Sequence, residues 1–468
     1  MNGVITLLVL IVCGLIVLAV PGFVSPWGAD YGVANVFDTG RAVLLCCALS
    51  AIAGLIISRQ SEESQFLLRL FVIGVLVRMI LGTAIFAFRG QEFFGGDALT
   101  YDFLGTAQLN SWAGDRYYTQ VMNAHLGHSG GTSWGMTYLV AIIYSMVGRN
   151  ILAVQFVNAV LGAATAPLIY LCAQFVFNNT RVARISALAV AFFPSLVLWS
   201  SQGLKDGPIV FFLALSILTT LKLSARFEFK QLLILVISLF AILSLRFYVF
   251  YMITVAVAGT FVVGTGKLTM LNFIRQFAVI ILLGLSLTYV GITRYTTQLE
   301  HYTNLERIQR SRLDSATRGQ SGFAAQSDVS TSEGALSTIP IGLVYLLFAP
   351  FPWQLTSLRQ SITLPEMIVW WTSFPLLILG LWFSIKYRLR QISPILIFTV
   401  MLSLAYSVFQ GNVGNAYRQR SQLLVFYFIF IAVGYVLVSE KREESKRRQL
   451  VDPDPVPAQI AASTWSRR

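Results

Sequence analysis

Charge is scarce in this chain. Asp, Glu, Lys and Arg make up 12% of its 468 residues, against the ~25% usual in soluble domains. With 56% of the residues hydrophobic, a soluble globule could not hide so much apolar surface, and that class is excluded. Cysteine is also rare: Cys13, Cys46, Cys47 and Cys172 all fall inside apolar runs. Buried there they behave as small hydrophobes, so neither a disulfide framework nor a cysteine metal site is indicated. No repeat of fixed period, no coiled-coil heptad and no soluble domain interrupts the sequence. The net charge of +13 invites a nucleic-acid reading, but no basic-aromatic module occurs in the polar segments. Nucleic acid is therefore not expected as a partner, and the charge reads as Lys and Arg in cytoplasmic loops.

What the chain has in abundance is long apolar runs. They lie near residues 3–20, 41–57, 66–88, 150–177, 185–202, 208–223, 231–245, 247–265, 276–293, 366–385, 393–409 and 421–438. Several reach the ~18–20 residues needed to cross a hydrocarbon core. The fold class predicted is all-α, a polytopic helical membrane protein with about 12 transmembrane helices, roughly 10–14. The first run lacks a basic flank before it and a small-residue cleavage site after it, so it reads as a retained span and not a removed signal peptide.

Arg and Lys orient these spans. The run Lys441, Arg442, Lys446, Arg447 and Arg448 should be cytoplasmic. Residues 441–468 read as a basic, disordered tail behind a membrane domain over 1–440. The same rule puts Lys386, Arg388 and Arg390 inside, with the basic connections 181–184, 222–230 and 267–275. Both termini come out cytoplasmic, as in a multi-pass protein of a bacterial inner membrane. Two shorter runs, near 135–147 and 339–351, cannot both cross without inverting those clusters. They read as re-entrant or interfacial pieces packed against protein. The polar segments 89–134, 202–207, 294–337, 352–365 and 411–420 then share the outer face. A long polar connection such as 294–337 is either a functional lid or disordered.

Those outward segments hold the residues that carry chemistry. Gly95, Gly96, Asp97, Thr100, Tyr101 and Asp102 form an acidic, glycine-rich turn at the membrane surface. Asp97 reads either as a helix N-cap or as a general base for an acceptor nucleophile, and a divalent cation held there stays open as the one cofactor. Glu92, Asp102 and Asp115 are alternative carboxylates in the same segment. Next, a span ending in Ser200 and Ser201 runs straight into Lys205 and Asp206. The lysine either snorkels at the interface or neutralises a phosphate, with Asp206 joining Asp97 at one site. Third, Tyr417, Arg418 and Arg420 follow Gly411 and Gly414. Arginines just outside the membrane run against the positive-inside trend, and their forked donors suit phosphate. Arg78 and Arg246 sit in or at the end of apolar runs, at ~2.5–3.5 kcal/mol near mid-bilayer; Arg246 is the better site candidate, Arg78 a structural one. His125 and His128 are spaced like a metal pair without a clear third ligand. Phe351, Pro352 and Trp353 form an interfacial aromatic anchor or shape an acceptor groove.

Gly96, Asp97 and Tyr101, followed about a hundred residues later by Pro194, Trp199, Ser200 and Asp206, resemble the polytopic C-type glycosyltransferases. This broad group includes lipid-A aminoarabinose transferases, protein mannosyltransferases and bacterial relatives in polysaccharide assembly. The likeness covers mainly residues 90–225; residues 203–207 and 417–420 look like members found with exopolysaccharide genes. The resemblance implies a sugar donor carried on a polyprenyl phosphate and an acceptor met on the outer face. It also implies Asp97 as the carboxylate that engages the acceptor and Asp206 as the second one. The chain departs from the family in two ways. An extra span precedes the catalytic loop, and Asp97-Ala98 stands where several subfamilies carry an Asp-Glu dyad.

The reading is thus a membrane glycosyltransferase with Asp97 and Asp206 catalytic. Tyr101, Lys205, Arg246, Tyr417, Arg418 and Arg420 would bind substrate, a polyprenyl-phosphate-linked sugar with a glycan, lipid or protein acceptor among membrane lipids. Its rivals are a polysaccharide polymerase or ligase, which needs no base at Asp97, and a flippase, which needs charges buried along several spans.

Overall fold

The computed structural model describes residues 36–60, 63–88, 93, 96–128, 134–263, 304–318, 321–324, 326–355 and 358–451. The expected runs 3–20 and 276–293, the basic link 267–275 and Glu92 lie outside the described residues. The other apolar runs each coincide with a helix or an arm of one. In order they are α1 Val36–Ser58, α2 Ser64–Ala87, α3 Asp97–Trp112, α4 Arg116–His128, α5 Trp134–Val147, α6 Ile151–Phe177, α7 Thr180–Phe192 and α8 Pro194–Ser200. There follow α9 Asp206–Ala225, α10 Phe229–Leu245, α11 Phe247–Val263, α12 Leu305–Arg318, α13 Ser332–Phe348, α14 Leu364–Phe409 and α15 Val413–Val451.

Six of these are long and apolar enough to cross a membrane, and a seventh span forms if α7 and α8, bent 54° at Phe193, count as one. The remaining expected runs fall outside this count of described helices for identifiable reasons. Two expected runs are outside the description, and α10 and α11 are 17-residue helices, about 26 Å at 1.5 Å per residue. Two further runs share the 46-residue α14, whose only non-helical residue is Arg388 (φ −135°, ψ 19°). The chain reverses there. The first arm runs parallel to α15: Met367 meets Arg420, while Gly434 packs on the carbonyl of Leu376. The second arm runs antiparallel, with Phe398 on Phe426 and Tyr406 bonded to Gln422 at 3.0 Å. Gly380 is required here, because a Cβ would sit 1.8 Å from the Phe430 carbonyl oxygen.

Helix ends show why the elements start where they do. Asn150 caps α6 by accepting from Ala153 N, and Asn179 caps α7 by accepting from Arg181 N and Val182 N. The tail expected to be disordered from 441 is instead helical to Val451; its Lys, Arg, Glu and Gln are good helix formers, and they continue an established helix. Residues 452–468 are outside the description.

The bundle has two chemically different ends. At one, Arg184 pairs with Glu63 at 2.7 Å and Arg181 with Glu443 at 3.3 Å. The Arg388 reversal and the basic start of the tail belong to the same end. At the other, Gly82 near the top of α2 packs on the Ser201 carbonyl, and α6 leaves from the same level, its Asn158 bonded to the carbonyls of Gln202 and Leu204 at 2.7 Å. The described residues between α2 and α6 therefore sit at that end, including α5, whose sequence suggested an interfacial helix. α13 lies there too: Trp370 and Trp371 donate to its last carbonyls, Leu347 and Phe348.

Arg78 is buried in α2 and takes the structural alternative. It donates to Ser200 Oγ at 2.8 Å, Ala191 O at 3.0 Å and Gly74 O at 3.1 Å. It thereby clamps both arms of the bent α7–α8 pair, which lead into the 201–205 connection.

Candidate active site

Two helices begin with an aspartate at the polar end. Gly96, at φ 75°, turns the chain into α3 and occupies the cap position, a left-handed conformation that favours glycine. Asp97 is therefore the first helical residue and not the cap. Asp206 likewise opens α9. A negative side chain in a first turn is favoured by the helix dipole, which helps both sites hold a charge.

Arg418, from α15, joins the two. Its Nη1 meets Asp97 Oδ2 at 2.5 Å, while Nε and Nη2 both approach Asp206 Oδ2 at 2.6 Å. The other oxygen of Asp206 faces Arg246 Nη2 at 3.4 Å. Aromatic faces back the cations, with Arg418 over Trp199 at 5.7 Å and Arg246 over Tyr248 at 5.9 Å. Asp97, Arg246 and Arg418 line a cavity of about 400 Å³ that also takes in Tyr101 and Lys205, with Asp206 buried behind the guanidinium groups.

The aspartates differ in what they can do. Asp97 has 52% of its side chain exposed and Asp206 only 1%. A proton can reach Asp97 from a bound acceptor. Asp206 is enclosed with both oxygens facing guanidinium groups, so it holds Arg418 and Arg246 in place. The sequence grouped the two as catalytic; the geometry gives them different surroundings.

Tyr101 is the tyrosine expected at the site. Burial first, then the carboxylates of Asp206 and Asp97, push its phenol up to about 12, so it stays protonated as a hydrogen-bond donor. Lys205 precedes α9. Burial, and then the neighbouring Arg246, bring its ammonium down to about 7, so its charge is poised near neutrality.

Two expected binding residues are not in this cavity. Arg420 is 1% exposed; it donates to the carbonyls of Leu347 and Ala349 and lies over the Tyr417 ring at 5.2 Å. Tyr417 donates to Glu366 Oε2 at 2.9 Å. Successive helical residues turn about 100°, so Arg420 lies roughly 200° around α15 from Arg418, and Tyr417 faces the packed side. Both follow the helix to other faces than the one Arg418 takes.

The other carboxylates of this segment are also assigned. Asp102 is buried, bonded to Tyr144 OH at 2.6 Å and to Arg149 Nη2 at 2.5 Å; it ties α3 to α5 and to the connection that leads into α6. Asp115 accepts from Tyr117 N at 2.9 Å at the start of α4. His125 lines the cavity, but the side chain of His128 is outside the description. Among the described residues no group of three His, Cys, Asp or Glu side chains gathers to hold a metal. Sequence reasoning missed Asn415 and Gln419, which also line the cavity. Asn415 stands three residues before Arg418, on the same helix face, and that spacing was the available signal.

Over residues 133–290 the chain matches the family of dolichyl-phosphate-mannose-protein mannosyltransferases. No curated protein and no solved structure matches the chain. The matched stretch contains Lys205, Asp206 and Arg246 but neither Asp97 nor Arg418, and so only partly overlaps the likeness read from residues 90–225. It supports a membrane glycosyltransferase that uses polyprenyl-phosphate sugar donors. Together with the apolar helices it indicates a multi-pass membrane protein, and the all-helical architecture agrees with the polytopic C-type fold.

Proposed function

We propose that the protein transfers a sugar from a polyprenyl-phosphate donor to a glycan, lipid or protein acceptor on the outer face of a bacterial inner membrane. The observation that carries this reading is Arg418, shared between a half-exposed and a buried aspartate at the wall of a cationic cavity. Three basic side chains, Lys205, Arg246 and Arg418, face two carboxylates, which leaves a surplus of positive charge for one phosphate. Arg246 and Arg418 offer forked donors suited to phosphate oxygens.

The steps follow from this arrangement. A donor phosphate entering the cavity competes with Asp97 for Arg418, while Asp206 keeps the guanidinium in position. The freed Asp97 accepts the proton of the acceptor hydroxyl. The acceptor oxygen forms its bond to the anomeric carbon as the bond from that carbon to the phosphate oxygen breaks. The leaving polyprenyl phosphate takes the electron pair, and Lys205, Arg246 and Arg418 balance its added charge. A single displacement of this kind inverts the anomeric centre. The outward assignment is supported by the basic residues gathered at the opposite end of the bundle, which the positive-inside trend places in the cytoplasm. Involvement in envelope or exopolysaccharide assembly fits the sequence around residues 203–207 and 417–420.

The test is binding of decaprenyl phosphate to the purified protein. Wild type should bind it saturably and Arg418→Gln should lose at least tenfold in affinity; equal affinity for both proteins would overturn the reading.

A further inference from the structure

Beside the charged cavity lies a second one of about 220 Å³, and Asn415 and Gln419 line both. The two differ in chemistry. The first is built on Asp97, Lys205, Arg246 and Arg418. The second adds to the shared amides the hydroxyls of Ser311 and Ser315, the amide of Gln410 and the rings of Tyr248 and Phe409, with no charged side chain among its described lining residues.

Its outer wall is a built surface. Ser311 and Ser315 are four residues apart on α12 and so share a face. Arg312, 1% exposed, fastens that helix by donating to the carbonyl of Val408 at 3.1 Å. Asn412 Nδ2 donates to Ser315 O at 3.3 Å. The following residues are stitched to the same connection, Phe323 N to Gly411 O and Val413 N to Ser321 O, each at 2.9 Å. The polar segment that sequence left as lid or disordered region thus contributes, over its described part, an ordered cover.

We propose that this neutral annex is the subsite for a sugar ring of the acceptor, which makes the acceptor a neutral carbohydrate; the proposal rests on the transferase reading above. Amides and hydroxyls supply both donors and acceptors, which is what the hydroxyls of a sugar ring require. The aromatic rings offer apolar faces to its C–H groups. Among the described lining residues a phosphate would find no cation here, and it belongs in the charged cavity. Asn415 and Gln419 flank the boundary next to Arg418, so a hydroxyl that crosses it arrives at the Arg418–Asp97 pair. Ser311 and Asn415 are exposed, so the annex is reached from water.

Saturation-transfer NMR on the full-length protein in nanodiscs reads the annex directly, with methyl mannoside, methyl glucoside and N-acetylglucosamine as probes. At least one probe should receive saturation, and Ser311→Trp, which fills the annex from an exposed helix face, should reduce it at least fivefold; Ser311→Leu carries the same prediction in weaker form. Decaprenyl phosphate should bind the wild type and both variants within twofold. Failure of that lipid to bind the wild type would defeat the transferase reading itself. Binding of the lipid with sugar signals absent, or unchanged in both variants, would overturn the annex alone. Saturating decaprenyl-phosphate mannose separates the two sources of a sugar: persistence of the free-sugar signal supports the acceptor assignment, and its displacement assigns the annex to the donor and overturns it.

Discussion

Asp97 and Arg418 stand 321 positions apart in the chain and meet at 2.5 Å. The half-exposed carboxylate is thus engaged by the cation proposed to hold the donor phosphate. Under the proposed reading, the pair would link donor binding to the release of the base. Asp206 makes this possible by keeping a second hold on the same guanidinium.

Arg418→Gln takes from buried Asp206 the closer of its two guanidinium partners. Removing one partner of a buried pair costs about 3–5 kcal/mol, so thermal unfolding in detergent should fall clearly below wild type. Adding Asp206→Asn should recover part of the loss, because the uncompensated charge disappears with it; a double-mutant cycle should give a coupling of about 0.5–3 kcal/mol. Strict additivity would mean that the two side chains do not interact.

Donor affinity should depend on pH through Lys205. Its ammonium, brought down to about 7 mainly by burial, is charged below that value, and a bound phosphate raises it again. Binding therefore takes up a proton. Affinity for a phosphodiester-linked sugar, which does not itself titrate here, should be level below about pH 7 and decline above it, by up to tenfold per unit. Lys205→Met should flatten that decline and Lys205→Arg should preserve high affinity across it. Titrations at pH 6 and 8.5 decide the point.

Arg420 should behave as a structural residue. Arg420→Met removes the donor to the carbonyls of Leu347 and Ala349, at about 1–3 kcal/mol for buried groups left unsatisfied. Thermal stability should drop while affinity for decaprenyl phosphate stays within twofold. A selective loss of affinity at normal stability would return Arg420 to the site.

Orientation is open to labelling. In a Cys47→Ala background, cysteines at the exposed positions Arg226 and Glu440 should react with an impermeant maleimide only after the membrane is opened, and one at Ser311 in intact cells. The reverse pattern would move the site to the cytoplasmic face.

The parts of this site that sequence disclosed are those where a charge stood in an improbable setting. Asp97, Lys205, Asp206, Arg246 and Arg418 each interrupt or border an apolar run, and desolvation makes such residues conspicuous. Which face of a helix a charge takes was harder to see. Tyr417, Arg418 and Arg420 read as one motif along the chain, yet helical rotation sends them to different neighbours. The tasks of the two aspartates were also hidden, since exposure depends on Arg246 and Arg418 arriving from distant helices. Asn415 and Gln419 carry no charge and drew no attention. The hairpin in α14 was legible as two runs around Lys386 and Arg390, whereas the order of α12 rests on Arg312 and Asn412, which only the folded chain brings to their carbonyl partners.

The central claim, that Asp97 is the base for sugar transfer, is tested most directly by Asp97→Asn in the purified protein, given a polyprenyl-phosphate donor radiolabelled in its sugar. Donor binding should be retained or tightened, because Arg418 is released, while transfer falls about 10²–10⁴-fold, the usual contribution of a positioned base. Transfer at the wild-type rate would contradict the account and favour a polymerase or ligase that works through the cations alone.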